Sequence, residues 1–126
     1  MMTASTPADC VAAAAAAITA GDIDAVLSYY EADAVLTPAG QPETSEIRGH
    51  DALRTVFASW AGTDPRLTVD TQTVIEAGDI ALVLGSWTLT MNGPDGILDL
   101  AGTYSDVVRR QSDGSCLYVI DRPTMG

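Results

Sequence analysis

The feature that most constrains this chain is a change of period at residue 66. Downstream of it stand four apolar runs: "RLTVDTQTVIEAG", "DIALVLGSWTLTM", "ILDLAGTYSDVVRRQ" and "CLYVID". Short turn sequences separate them: Ala77-Gly78-Asp79, "NGPDG" and "SDGS". β-Branched and aromatic residues are frequent in the runs, and glycine, asparagine, aspartate and proline make the turns. The pattern predicts four strands joined by three tight turns, an antiparallel meander.

The first half of the chain has a different character. Thr6 and Pro7 form a helix start, a hydroxyl cap followed by proline at the first helical position. The alanine-rich run 8–20 continues the helix and Gly21 stops it. Asp22 is placed to cap a second short helix over "IDAVLSYYEAD", where Ile23, Val26, Leu27 and Tyr30 recur at helical spacing. "AVLTPAG" reads as a strand ended by Pro38 and Gly40. Residues 40–49 read as a polar loop with a short strand at "SEIR". A third helix is predicted over "HDALRTVFASWA", with Leu53, Val56, Phe57 and Trp60 as its apolar stripe and Gly62 at its end. Helices first and a long curved sheet after them predict an α+β fold with the helices on one face of the sheet.

Composition narrows the function classes. With 126 residues, of which 47% are hydrophobic, the chain suits one domain with a true core, preceded by a loose terminus over residues 1–6. Seventeen acids face six basic residues, all arginine, for a net charge of −11. Nucleic acids and anionic membranes need a basic footprint, so neither is an expected partner. A small molecule or a second copy of the chain fits better. Cys10 and Cys116 have no metal spacing and read as buried thiols. The N-terminal apolar run lacks the positive segment of a signal peptide, so the expected location is the cytoplasm.

Most chemistry-bearing residues form no motif. Ser86, Ser105 and Ser115 have no evident histidine base. "GPDG" is a turn, not a phosphate loop. His50, the only histidine, reads as a solvated helix-start residue, and no second histidine or cysteine stands at metal-ligand spacing. Two carboxylates are different. Asp106 and Asp121 each interrupt an apolar strand. Alternation puts Tyr104, Asp106 and Val108 on one face, and Leu117, Val119 and Asp121 on one face of the last strand. Either these acids sit on solvated faces, with Asp106 paired to Arg109, Arg110 or Arg122, or they point into a cavity.

"AAAITAGDIDAVLSYYEADAVLTPAG" and "IRGHDALRTVF" resemble the N-terminal half of the nuclear transport factor 2-like superfamily. "GTYSDVVRRQSDGSCLYVID" is similar to the closing strand–turn–strand of its SnoaL-like and ketosteroid-isomerase-like members. The resemblance covers roughly residues 8–123. It implies a cone-shaped α+β half-barrel around a deep pocket, usually paired through the outer face of the sheet. Asp106 matches a strand aspartate that is kept protonated in ketosteroid isomerases, and Tyr30 matches a supporting tyrosine on the second helix. The aspartate base has no counterpart at Leu36-Thr37-Pro38, and the oxyanion tyrosine falls near Ala14. One of three catalytic positions survives, so a steroid-isomerase proton shuttle is not expected.

The same alignment sends Asp106, Asp121, Tyr104, Val108, Leu117 and Val119 into the cone. Val83, Gly85, Trp87 and Leu89 line it from the neighbouring strand, and Thr37, Phe57 and Trp60 close it. An apolar pocket with aromatic walls and two carboxyls suits a small organic molecule. The expected chemistry is isomerisation, cyclisation or dehydration without cofactor or metal, with Asp106 and Asp121 exchanging protons and Tyr104 orienting the bound molecule. The rival expectation is a non-catalytic binding or dimerisation module of the same fold.

Overall fold

A computed structural model of the chain describes residues 4–42 and 45–125. Helix α1 (Pro7–Ala20) starts where the Thr6 hydroxyl accepts the Asp9 N–H and ends at Gly21. It buries Cys10, Val11, Ala14 and Ile18 against the sheet, and its alanines let the backbone come close. Helix α2 (Ile23–Leu27) is capped by Asp22, whose carboxylate accepts the Ala25 N–H. It stops well short of the predicted span. Tyr30 belongs to strand β1 (Tyr30–Leu36), not to the second helix. Its ring stacks on Tyr118, with centroids 4.6 Å apart, and strand pairing there outweighs the helical spacing of the local sequence. A short strand β2 (Ile47–Arg48) leads into α3 (Gly49–Ala58), which buries Leu53 and Phe57.

The meander follows as predicted: β3 (Arg66–Ala77), β4 (Ile80–Gly93), β5 (Gly96–Arg110) and β6 (Cys116–Asp121). A short β7 (Pro123–Met125), absent from the sequence reading, runs beside β5. The sheet order is β2-β1-β6-β5-β4-β3, and only the β1–β6 pair is parallel among the neighbours. The helices cover its concave face, which makes the cone-shaped α+β architecture expected from the sequence.

One register shift matters for function. Val108 pairs with Tyr118, yet Val107 pairs with Ile120, so Val119 is an extra residue in β6. Such a bulge reverses the alternation beyond it. Cys116, Tyr118 and then Asp121 face inward, while Leu117 belongs to the other face. The segment at the N-terminus also differs from expectation. Residues 1–3 lie outside the described residues, but Ala4 is buried and its carbonyl accepts the Cys116 N–H at 2.8 Å. The Ser5 carbonyl accepts from Arg110, so Ala4 to Thr6 are tied to the fold. Among the described residues no helix is long and apolar enough to cross a membrane.

Candidate active site

A cavity of about 390 Å³ lies between the helices and the concave face of the sheet. Val11, Ala14 and Ile18 of α1 roof it, and Leu67, Val69, Trp87 and Leu89 of β3 and β4 form one wall. The opposite wall is a run of rings. Tyr118 stacks on Tyr30, Tyr30 meets Phe57 at 5.9 Å, and Phe57 meets Trp60 edge-on at 5.6 Å. Pro38 to Gln41 and Met125 complete the lining. A second cavity of about 420 Å³ lies beyond Phe57 and Trp60, but its only acid, Asp64, is exposed and paired with Arg66 at 3.3 Å.

Asp106 and Asp121 both line the first cavity and are hydrogen-bonded to each other. Asp106 is 1% exposed. Its Oδ1 accepts the Arg122 backbone N–H at 2.9 Å, and the Tyr118 hydroxyl beside it weakly favours the charged form. The Tyr30 hydroxyl donates to Asp121 Oδ2 at 2.5 Å. Burial, and then the charge of Asp121, hold Asp106 well above the usual carboxylate range. Burial raises Asp121 as well, but hydrogen bonds from Tyr30 and Asp106 oppose that rise. Both carboxyls are thus raised, and the pair titrates as a unit. Two like charges in contact cannot both persist in a poorly solvated site, so the pair shares one proton. Burial and the neighbouring carboxyls also push Tyr30 and Tyr118 upward, which keeps both as donors. Arg109 and Arg110, two of the expected partners, are occupied elsewhere. Arg109 meets Glu31 at 3.2 Å, Arg110 bonds the Ser5 and Gly114 carbonyls, and Arg122 meets Asp106 through its main chain.

A SnoaL-like domain matches residues 11–117. The chain belongs to the SnoaL-like family. Its structure is similar to a ketosteroid isomerase-like protein from Erwinia carotovora atroseptica SCRI1043, with a TM-score of 0.78 at 22% identity over 92% of this chain and 90% of that one. It is also similar to an NTF2-like protein with a cystatin-like fold from Novosphingobium aromaticivorans DSM, with a TM-score of 0.77 at 13% identity over 93% and 77%. These likenesses concern the fold. No match was found among curated proteins.

The structure gathers the sequence-derived residues of this SnoaL-like chain unevenly. Asp106, Asp121, Tyr104, Trp87, Phe57, Trp60, Tyr30 and Leu89 line the cavity. Val83 and Val108 are fully buried in the core beside it rather than in its lining. Leu117 and Val119 are corrections: both are half-buried and outside the lining, because the bulge at Val119 shifts the inward set to Tyr118 and Asp121. Thr37 is another. Its neighbours Leu36 and Pro38 reach the cavity, while its own N–H bonds the Asp121 carbonyl at 3.0 Å. His50 is not a solvated helix-start residue. Its Nε2–H donates to the Tyr30 carbonyl at 2.8 Å and fastens α3 to β1.

Two glycines set the shape of the β-wall. A methyl group on Gly85 would overlap the Asp70 carbonyl and the Tyr104 hydroxyl. The bare backbone lets Tyr104 lie across β4 and bond Thr71 at 2.6 Å. At Gly102 a methyl group would overlap the Thr124 carbonyl of β7 and press on the Trp87 indole. That indole donates to the Thr103 carbonyl at 3.1 Å, which fixes the plane of the wall. Sequence reasoning missed Tyr118, Leu67, Val69 and the alanine face of α1. The alternation of "RLTVD" carried a signal for Leu67 and Val69. Nothing local marked Tyr118, whose role depends on the bulge.

Proposed function

We propose that this chain binds a small, largely apolar organic molecule in the chamber and moves protons on it through Asp106 and Asp121. The observation that carries this reading is the pair of adjacent carboxyls at the floor of an aromatic-walled cavity, Asp106 fully buried. A protonated Asp106 is a general acid at neutral pH, and Asp121 beside it is a general base. Isomerisation, cyclisation and dehydration need only such a pair and no cofactor. Trp87, Phe57 and Trp60 supply apolar surface, and Tyr104 sets the width of the site beside Thr71.

The test is an NMR titration of the Asp106 carboxyl, followed by Asp106→Asn in a turnover screen of unsaturated ketones and tertiary alcohols. The reading expects titration far above the ordinary value of 3.8. It also expects loss of any turnover in the variant while the fold survives. A depressed titration, or an equally active variant, overturns it. A second reading, a non-catalytic binding module, has its own support. The positions that the family resemblance marks for a base and a tyrosine reach the cavity as Pro38 and Ala14, with no functional group.

A second copy of the chain is part of the proposal. Ile75, Leu82, Val107 and Ile120 are cross-strand partners in sequence on the outer face of the sheet. Ile75 is 54% and Ile120 37% exposed. An apolar row of this kind across four strands suits pairing of sheets.

A further inference from the structure

We propose that the molecule held in the chamber is a lipophilic amine: a compact apolar body with one ammonium group seated on the Asp106–Asp121 pair. The inference rests on the small-molecule reading above and narrows its substrate class.

Three observations carry it. The first is the hydrogen-bond inventory at the floor. The Tyr30 hydroxyl is committed to Asp121 and the Trp87 indole to the Thr103 carbonyl. The Tyr104 hydroxyl is turned to Thr71. A carbonyl or carboxylate, which only accepts, competes for the one proton that the pair shares. The carboxyl oxygens retain lone pairs, so the floor favours a group that donates. An ammonium brings three N–H donors and a charge, and charge-assisted bonds to carboxylate are the strong ones.

The second observation is electrostatic. The titratable groups facing the pair are Tyr30 from β1, Tyr118 from β6, Tyr104 from β5 and Cys10 from α1. Among the described residues no arginine or histidine lines the cavity. The remaining negative charge of the pair thus meets no basic side chain in the lining, among the described residues, and an anionic molecule would meet repulsion at the same place. The net charge of −11 extends that bias to the approach, since the field of the whole chain gathers cations and repels anions. The third is the wall itself. Ammonium groups are attracted to ring faces, and the rings of Tyr30, Phe57, Trp60 and Trp87 all line the chamber. They also give the apolar body its contact surface.

The experiment uses three probes with one shared body, adamantylamine, adamantanol and adamantanecarboxylate, titrated calorimetrically into the full chain near neutral pH. The amine is expected to bind about tenfold or more tighter than the alcohol, the effect of one charge-assisted hydrogen bond, and the carboxylate to give no measurable heat. Asp121→Asn is expected to abolish the amine's advantage over the alcohol. An alcohol equal to or tighter than the amine, or a carboxylate that binds as well as either, overturns the amine assignment and leaves the apolar-chamber reading standing. If none of the three binds, both readings fall. The wild-type series decides the matter alone if the variant does not fold.

Discussion

Asp106→Asn offers the sharpest physical test, because the proton on this carboxyl makes stability depend on pH with a fixed sign. In the unfolded chain Asp106 ionises near the ordinary value of 3.8, whereas in the fold burial and Asp121 hold its proton well above that. Between those two points the folded state binds one proton more than the unfolded state. Its contribution to stability is complete below the unfolded value and is lost as pH rises toward the folded one. The slope for one proton is about 1.4 kcal/mol per pH unit, so two units cost about 3 kcal/mol. Against a total stability of about 5–15 kcal/mol, that is a large fraction. Asparagine removes the titration and keeps the shape. Its amide oxygen accepts the Arg122 N–H and its NH₂ donates to Asp121, so its own cost is about 1 kcal/mol for one altered hydrogen bond. The variant is therefore expected to be the less stable protein near pH 4 and the more stable one near neutrality. Urea unfolding followed by tryptophan fluorescence from about pH 4 to about pH 8 measures this. The wild-type-minus-variant difference should fall by about 1.4 kcal/mol per unit, then level off where wild-type Asp106 ionises. A difference that is flat with pH, or that rises, would show an ionised Asp106 in the fold and refute the shared-proton pair.

Three further outcomes follow from the same geometry. Tyr30→Phe removes the hydroxyl that favours the charged form of Asp121; carboxyl NMR should show Asp121 titrating higher, and stability should drop by about 1.5–3 kcal/mol, with a lower titration counting against the assignment. Gly85→Ala forces a methyl group into the Asp70 carbonyl and the Tyr104 hydroxyl; it should cost about 1–3 kcal/mol in thermal or urea unfolding, and an unperturbed variant would mean that Tyr104 does not lie over Gly85. Ile75→Glu places a charge in the apolar outer row of the sheet; sedimentation should show weaker self-association with the fold retained, and an unchanged paired species would place the interface elsewhere.

The fold was legible because its signals are local and repeated. Three turns rich in glycine and aspartate marked the meander, and Thr6-Pro7 with Gly21 marked α1. Where single-residue spacing competed with long-range pairing, the sequence misled. Tyr30 sits at a helical interval from Val26 and Leu27, but its ring has a partner, Tyr118, that lies 88 positions away in the chain and across the sheet. No local pattern reports such a partner. The site was half legible for a related reason. Asp106 lies on a long strand with unbroken pairing to β4, so counting in twos from Tyr104 puts it correctly on the buried face. Asp121 was counted inward along with Leu117 and Val119, and the count was unsound. β6 carries an extra residue at Val119, a side chain with no turn or glycine character to betray it. That bulge places Tyr118 and Asp121, three apart in sequence, on one face. A regular strand would have turned one of them outward. The carboxyl pair, Tyr30 and Tyr118 therefore come together through the extra residue in β6 and a second register shift in β1 between Tyr30 and Val35, and the chemistry of this chamber is set by register as much as by residue type.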